Sequence, residues 1–391
     1  MLKPMTNFIR TLAALACLLG CATSPVPAEA QTAQAEWSGV ERIVVIGDLE
    51  GAHEKYLDML RTAQLIDAQG NWIGGPAHLV QLGDIPDRGP NSRAIMDHLM
   101  RLERQAQRAG GRVHALIGNH EAMNVEGDLR YVHPGEYAAF PTSSSARVRD
   151  QFYQRYVDQV RRNAPPGGLP TIDEAFRQQF DAEHPLGWVE HRQAWAPGGA
   201  YGRWVAGHNT VIRINDTLFL HAGIGPLYAA ADRASMNRAV QRALNGRPVE
   251  GYADILTNEQ GPLWYRGLAQ NDEAAETANL EAVLARHGVR RIVTGHTKLA
   301  PMVVPRFGGR VLVADIAIPR GHPDPHAFLV IEGARVTAVH RGQRVPLDAS
   351  TMQARCAYFA AIAALDPPAS PTARISAQCA AGAQTALQPA D

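Results

Sequence analysis

HLVQLGDIPDRG, residues 78–89, is a short apolar run that ends abruptly in a glycine and an acidic side chain. Runs of this length, rich in Val and Leu and bounded by Gly, are typical of buried strands. Similar runs occur in RIVVIGD (42–48), VHALIGNHE (113–121) and RIVTGH (291–296), with Asp, Asn or His after the glycine, and in TLFLHAG (217–223), where a histidine follows the run directly. The sequence therefore predicts five strands, each followed at once by a polar side chain.

Helical patterns separate the first three of these strands, at 54–63 and 92–109. Strands and helices that alternate along a chain indicate an α/β layered fold. A further helix is predicted at 272–287, before the fifth strand, and two more strands are predicted at 311–316 and 327–331.

Two regions break this rhythm. The segment 124–206 is polar and rich in Arg and Gln, with a predicted helix at 145–162, and we interpret it as a helical insertion. It lies within one α/β domain at residues 39–345. Residues 346–391 follow as a C-terminal helix (351–364) and a loose tail.

The composition is that of an ordinary globular protein. Of its 391 residues, 46% are hydrophobic and 19% are charged, which argues against intrinsic disorder. Lys plus Arg equals Asp plus Glu at 38 each, and no long basic cluster occurs. A nucleic-acid partner, which would need many phosphate contacts, is therefore not expected.

Residues 1–30 have the pattern of a secretory signal sequence, with basic residues flanking an apolar run too short to span a membrane. Two processing sites compete within it. LLGC (18–21) resembles a lipobox, which would leave Cys21 lipidated, whereas AEA (28–30) fits cleavage after Ala30. We expect an exported, periplasmic protein, either soluble or attached to the membrane through Cys21 alone.

Processing of either kind leaves Cys356 and Cys379 as the cysteines available to pair. An oxidising compartment would let these two side chains form a disulfide. The bond would restrain a tail rich in Ala, Pro and Ser, and would stabilise the fold by about 2–4 kcal/mol.

The polar residues at the five strand ends are of metal-ligand types: Asp48, Asp84, Asn119, His221 and His296. In open α/β sheets, ligands bind outside the carboxyl ends of strands, where residues distant in sequence converge. A single Gly-Asp after a strand is most often structural, but five such ends in one chain indicate a metal site. Asp84 is suited to bridge two ions about 3.5–4 Å apart, because a shared carboxylate offsets their repulsion.

Residues next to these strand ends indicate phosphate chemistry. Arg88, one turn beyond Asp84, offers a planar fork that fits phosphate oxygens. Asp87 would orient His120, and a carboxylate beside an imidazole raises the pKa of the histidine. Such a histidine suits the general acid that protonates a leaving oxygen.

The motifs together resemble the ordered signature of the calcineurin-like metallophosphoesterases: GD (47–48), GDIPDRG (83–89), GNHE (118–121), HAG (221–223) and GHT (295–297). Three longer segments further resemble the Shewanella-like protein phosphatases: GNHEAMNVEGDLRYV (118–132), NDTLFLHAG (215–223) and GPLWYR (261–266). The similarity covers residues 42–333. It implies a β-sandwich flanked by helices.

The resemblance also implies two divalent metal ions, with Mn expected and Fe, Zn or Mg as alternatives. The first ion would be bound by Asp48 and Asp84, and the second by Asp84, Asn119, His221 and His296. Arg88 and Arg266 would hold the phosphoryl group. His120, oriented by Asp87, would protonate the leaving group.

One position departs from the family pattern Gly-Asp-x-His-Gly, because the chain has GDLEG at 47–51. Glu50 stands where the family has a histidine ligand of the first ion. A carboxylate also ligates, and it would make this site harder and more anionic, which favours Mn or Mg. Two alternatives remain open: Glu50 turns away and His53 assists, or the first ion binds weakly.

The resemblance implies hydrolysis of phosphomonoesters by a metal-bridging hydroxide, with phosphotyrosine-type proteins or small phosphate esters as substrates. Arg130, in GDLR (127–130), is a further candidate for substrate contact. A phosphodiesterase or nucleotide pyrophosphatase on the same scaffold is the alternative. Diesterases of this superfamily often carry Gly-His-x-His, however, and this chain has GHTK at 295–298. A non-catalytic exported binding protein is a third hypothesis, and only Glu50 supports it.

Overall fold

The computed structural model describes residues 34–165, 168–316 and 326–382 of the chain. The predicted signal sequence, with both of its processing sites, lies outside these residues. Two six-stranded sheets and a series of helices make up the described part, which confirms the predicted α/β class.

The strands are, in chain order, β1 (Glu36–Trp37), β2 (Arg42–Ile46), β3 (His78–Gln81), β4 (Arg112–Ala115), β5 (Val211–Ile214), β6 (Thr217–Leu220), β7 (Arg291–Thr294), β8 (Val304–Arg306), β9 (Val311–Val313), β10 (Ala327–Glu332), β11 (Arg335–His340) and β12 (Gln343–Pro346). The helices are α1 (His53–Thr62), α2 (Ser92–Arg108), α3 (Asn119–Glu126), α4 (Ser145–Asn163), α5 (Glu174–Glu183), α6 (Trp188–Trp195), α7 (Ala200–Ala206), α8 (Arg233–Leu244), α9 (Gly267–Gln270), α10 (Glu273–His287), α11 (Met352–Ala363) and α12 (Pro371–Ala380). Short 3₁₀ turns lie at Pro134–Ala139 and Phe307–Gly309.

Both sheets of the sandwich are mixed. One has the order β12-β11-β10-β2-β3-β4, in which β2, β3 and β4 run parallel. The other has the order β1-β5-β6-β7-β9-β8, in which β6, β7 and β9 run parallel. Each sheet therefore has three neighbouring strands whose carboxyl ends lie at the same edge.

A single hydrophobic core joins the two sheets. Val44 and Val45 of β2 belong to the same cluster of buried side chains as Leu218 and Phe219 of β6. Strands β2, β3 and β6 are buried at nearly every position. Largely apolar runs of this kind are expected of parallel strands that are covered on both faces, which explains why these strands could be predicted from the sequence.

The insertion is mostly helical, and the helix predicted at 145–162 corresponds to α4. Helices α4 and α5 share a small hydrophobic cluster of their own, formed by Tyr153, Val157 and Phe180. Asp173 caps α5, because its carboxylate accepts the backbone N–H of Phe176. Helices α6 and α7 of the insertion pack differently, because Trp195, Tyr201 and Val205 belong to the main hydrophobic core.

The C-terminal segment corrects one prediction, because part of the expected loose tail is the helix α12. Pro371 occupies its first turn and Ser370 accepts the N–H of Ala373, both of which are signals for the start of a helix. A disulfide joins Cys356 of α11 to Cys379 of α12, with 5.5 Å between the Cα atoms. None of the helices in the described ranges combines the length and hydropathy needed to cross a bilayer.

Candidate functional site

Polar side chains from both sheets meet where the parallel strands end. Asp48 and Asp84 follow β2 and β3, and Asn119 opens α3 just after β4. His221 and His296 follow β6 and β7 of the other sheet. All five side chains are buried. The structure therefore brings together, at the edge between the sheets, the five residues that the strand ends predicted.

Four residues form the part of the site that we name the histidine half: Asp84, Asn119, His221 and His296. Nε2 of His221 lies 2.9 Å from Oδ1 of Asn119, 3.3 Å from Oδ1 of Asp84 and 3.2 Å from Nδ1 of His296. On its other side, Nδ1 of His221 donates to the carbonyl of Leu82 at 2.8 Å. Because a carbonyl only accepts, the neutral ring carries its proton on Nδ1 and turns the lone pair of Nε2 toward the other groups.

The donor set of the histidine half fits a metal ion. Lone pairs that face one another repel unless a cation lies among them, and ligand atoms of Asp84, His221 and His296 all lie within 4.8 Å of one another. A backbone carbonyl on the far ring nitrogen is typical of a metal-bound histidine. Burial, together with the neighbouring His221, lowers the pKa of His296 well below its usual value, so this ring stays neutral and able to ligate.

Two glycines allow the ligands to approach one another this closely. A Cβ on Gly118 would overlap Oδ1 of Asp84, and a Cβ on Gly295 would overlap Oδ1 of Asp48. Just beyond Gly295, the backbone N–H of His296 donates to Asp48 at 3.0 Å. A glycine is needed before Asn119 and before His296, because in each case a carboxylate that follows another strand occupies the space where a side chain would lie.

The opposite side of the site, which we name the carboxylate half, contains Asp48, Glu50, Arg88, Lys298 and Asp315. Its three carboxylates are all buried. Burial raises the pKa of Asp48 well above its usual value, and the negative charges of Asp315 and Asp84 raise it further. A divalent cation would relieve this crowding of carboxylates, so Asp48 and Asp84 fit the first metal ion.

Glu50 already faces two side-chain cations. Nζ of Lys298 donates to its two oxygens at 3.0 and 3.1 Å, and Arg88 donates to Oε1. The carboxylate is 1% exposed, whereas the side chains of Lys298 and Arg88 are 12% and 22% exposed and reach it from the open side. The role of Glu50 as a ligand stays a prediction, and a metal ion would share this carboxylate with both cations.

His53, the alternative ligand of the first ion, lies at a neighbouring cavity. Its Nδ1 is 3.2 Å from Oε1 of Glu54. Its ring lines a surface cavity of about 320 Å³ together with His98 and Arg101. Glu50 therefore remains the candidate for the position of the family histidine.

A second buried pair, His120 and Asp87, lies beside the ligands. Nδ1 of His120 is 2.5 Å from Oδ2 of Asp87, and Asn124 donates to Oδ1 of Asp87 at 2.9 Å. Burial alone would lower the pKa of His120, but the charges of Asp84 and Asp87 raise it above its ordinary value. The imidazole is thus held in one orientation with its protonated form favoured, as a general acid requires.

The loop between β3 and α2 has an unusual backbone. Asp84, Asp87 and Arg88 have φ values of 57°, 77° and 57°, in a region that L residues rarely occupy. Glu121 stabilises this loop, because its buried carboxylate accepts the N–H groups of Asp84 (2.9 Å) and Ile85 (2.7 Å). Burial and the neighbouring Asp84 raise the pKa of Glu121 to about 7. The last residue of the GNHE motif therefore supports the ligand loop.

The three arginines that were predicted to contact substrate lie in different surroundings. Arg266 donates to the carbonyl of His296 at 2.9 Å, which places it next to the histidine half. Arg88 belongs to the carboxylate half and contacts Glu50. The side chain of Arg130 is 58% exposed and pairs with a neighbouring aspartate. Arg88 and Arg266 thus both lie beside the predicted ligands, through Glu50 and His296 respectively.

Four residues of the site escaped the sequence reasoning: Glu121, Tyr131, Lys298 and Asp315. Asp315 stands just beyond β9, which runs parallel to β7, and the strand-end rule would have found it without the requirement for a glycine. Lys298 follows the GHT motif directly, but its partner Glu50 is 248 residues away. Local sequence carries no signal for such a pair.

Comparison with known proteins agrees with this geometry. The model of the calcineurin-like phosphoesterase family matches residues 41–298. Shewanella-like protein phosphatase 2 of Arabidopsis thaliana is 30% identical over 68% of each chain. An uncharacterized protein of Schizosaccharomyces pombe is 30% identical over 78% of this chain and 82% of its own. Among solved structures, a cold-active protein-tyrosine phosphatase of a psychrophilic Shewanella is similar, with 27% identity, a TM-score of 0.61, and coverage of 81% of this chain and 83% of that one.

Proposed function

Because this chain belongs to the calcineurin-like phosphoesterase family and is a metallophosphatase, we propose that it hydrolyses phosphomonoesters, with phosphotyrosine-type substrates preferred. The observation that carries the proposal is the histidine half, where His221 turns the lone pair of Nε2 toward three further atoms that could bind a metal ion. Beside it, His120 and Asp87 form a pair that could protonate the leaving oxygen.

We assign two divalent ions to the site, as the family implies. The histidine half would hold one ion, and Asp48 and Asp84 would hold the other, with Glu50 as the predicted third donor. When bound, the ions supply Lewis acidity toward phosphoryl oxygens and toward water. Because oxygen ligands dominate the carboxylate half, we propose Mn as the metal, with Fe, Zn or Mg as alternatives.

The side chains of this protein orient the ester and deliver the proton. Arg88 and Arg266 would bind the phosphoryl oxygens and offset their charge. His120, oriented by Asp87, would give its proton to the leaving oxygen. Arg130 was also predicted to contact the substrate. Its exposed side chain suits contact with the rest of a larger substrate rather than with the phosphoryl group.

The preference for phosphotyrosine is supported by similarity alone. The solved neighbour is described as a protein-tyrosine phosphatase, and the Arabidopsis relative as a protein phosphatase. At 27% and 30% identity, these likenesses support the same reaction more strongly than the same substrate.

Metal-reconstituted protein should hydrolyse p-nitrophenyl phosphate and leave bis-p-nitrophenyl phosphate nearly untouched. A phosphopeptide panel would then compare phosphotyrosine with phosphoserine and phosphothreonine, with Mn, Mg, Zn and Fe supplied in turn. Faster turnover of the diester would contradict the monoesterase proposal and favour the phosphodiesterase. Absence of turnover with every ion and every ester would favour the non-catalytic binding protein.

We also propose that the protein is exported to the periplasm, on the strength of its N-terminal sequence and the disulfide between Cys356 and Cys379. Mass spectrometry of the mature N-terminus would distinguish a chain that begins at Gln31 from one that begins at a lipidated Cys21. An intact N-terminus in the cytoplasmic fraction would contradict export.

A further inference from the structure

We propose that Tyr131 determines specificity at this site by receiving the aromatic ring of an aryl phosphate as the leaving group. The inference rests on the proposed phosphomonoesterase function and adds a residue that recognises the ester group. Tyr131 follows α3 and is 42% exposed, and it is the one aromatic residue among the large exposed hydrophobic residues of the described ranges.

Two catalytic groups fix the position of this ring. Its centroid lies 5.1 Å from the centroid of the His120 imidazole, at an interplanar angle of 51°. The guanidinium carbon of Arg88 lies 5.2 Å from the same centroid. The backbone N–H of Arg88 also donates to the carbonyl of Tyr131 at 2.9 Å, so the main chain is held as well as the side chain.

These two contacts define the side of the substrate that Tyr131 faces. Arg88 binds phosphoryl oxygens in the proposed mechanism, and His120 protonates the oxygen that leaves. A ring next to both groups therefore lies on the leaving-group side of the phosphorus. The group attached to the leaving oxygen must pass close to Tyr131 on its way to solvent.

The chemistry of the ring selects among leaving groups. Aromatic rings attract one another in offset or edge-to-face arrangements with centroids about 4.5–7 Å apart. The aryl group of a phosphotyrosine side chain offers such a partner, whereas the methylene of phosphoserine does not. Tyr131 would therefore strengthen binding of aryl esters by about 3- to 10-fold and leave alkyl esters unaffected.

Tyr131 also has a structural role that the experiment must separate from recognition, because its ring contacts Arg88. Loss of that contact would weaken binding of the phosphoryl group, which all substrates share. The ratio of aryl to alkyl affinity is therefore the decisive quantity, since a merely structural role would not change it.

Binding of phenylphosphonate and methylphosphonate to metal-loaded protein should be measured by calorimetry, which does not depend on turnover. Tyr131→Ser should weaken phenylphosphonate binding about 3- to 10-fold more than methylphosphonate binding. Tyr131→Phe, which keeps the ring, should restore the wild-type ratio. Met352→Ser, at an exposed apolar residue of α11, serves as the remote control and should leave the ratio unchanged.

The outcomes separate this inference from the proposed function. Equal weakening of both ligands in Tyr131→Ser would overturn the inference and assign Tyr131 to holding Arg88. Unchanged affinities would overturn it too, because the ring would not contact the ligand. A wild-type protein that binds both phosphonates but hydrolyses no monoester would contradict the proposed function and leave the affinity ratio to decide the role of Tyr131.

Discussion

The two halves of the site hold their polar groups in opposite ways. In the histidine half, the ligand atoms of Asp84, His221 and His296 face one another within 4.8 Å, and Nε2 of His120 lies 3.7 Å from the other oxygen of Asp84. In the carboxylate half, Glu50 faces Lys298 and Arg88 at hydrogen-bond distance. The first arrangement leaves repulsion that a metal ion would relieve, whereas in the second Glu50 is already paired with two protein cations.

The difference indicates how strongly each half selects a metal ion. Lone pairs that converge without a counter-ion are costly in a buried site, so the histidine half should bind its ion tightly. A carboxylate that must share its charge with two cations is a weaker ligand. The first ion should therefore bind less tightly than the second, which is the asymmetry that Glu50 already suggested in the sequence.

Asp84→Asn should have the largest effect, because Asp84 is the one side chain proposed to bind both ions. The substitution removes the charge that the two ions would share, and we expect kcat/KM to fall by at least about 10³-fold. Metal content measured by mass spectrometry should fall as well. His208→Ala is the control. His208 is not a predicted ligand, and its ring contacts Glu103 at 2.9 Å, so this variant should keep both metal ions. Retention of two ions by Asp84→Asn would contradict the proposal that Asp84 binds both of them.

Asp87→Asn should separate proton delivery from metal binding. Asp84 and Asp87 raise the pKa of His120, so the protonated form of His120 persists above its usual range near pH 6.5. Without Asp87 this pKa falls, so the alkaline limb of the pH–rate profile should move to lower pH, and kcat should fall about 10²-fold. Metal content should not change. A profile that keeps its alkaline limb would remove His120 from the role of general acid.

Glu50→Gln tests the carboxylate half directly. If Glu50 ligates the first ion, as predicted, then metal content should fall from two ions per chain toward one, and kcat/KM should fall by about 10- to 100-fold. The histidine half should keep its ion. Unchanged metal content with a raised KM would show instead that Glu50 serves only to hold Arg88 and Lys298.

Lys298→Met should have the smallest effect, and unlike the other substitutions it should strengthen metal binding. The substitution removes a cation that competes with the first metal ion for Glu50, so that ion should bind about 3- to 10-fold more tightly. Titration of metal-free protein, followed by calorimetry, would measure this shift. Weaker binding of the first ion would mean that Lys298 positions Glu50 for the metal rather than competing with it.

The local pattern of the sequence was enough to predict the strands and their polar ends. Strands β2, β6 and β7 have the predicted bounds, because buried parallel strands are apolar runs, and these stop at a glycine in β2 and β7 and at His221 in β6. Glycines before Asn119 and His296 marked these predicted ligands, and the structure gives a reason for them, since the carboxylates of Asp84 and Asp48 occupy the space beside Gly118 and Gly295. The helix α12 was missed because an Ala-rich tail gives a weak periodic signal.

The sequence by itself predicted which residues bind metal, because five strand ends in one chain each carry a residue of a metal-ligand type. It also showed that Glu50 is an unusual residue for its position. Only the tertiary structure decided what Glu50 contacts, which carboxylate supports the ligand loop, and that Tyr131 lies beside His120 and Arg88. Those contacts join segments that are distant along the chain, and their geometry is fixed by how the two sheets pack rather than by any local pattern.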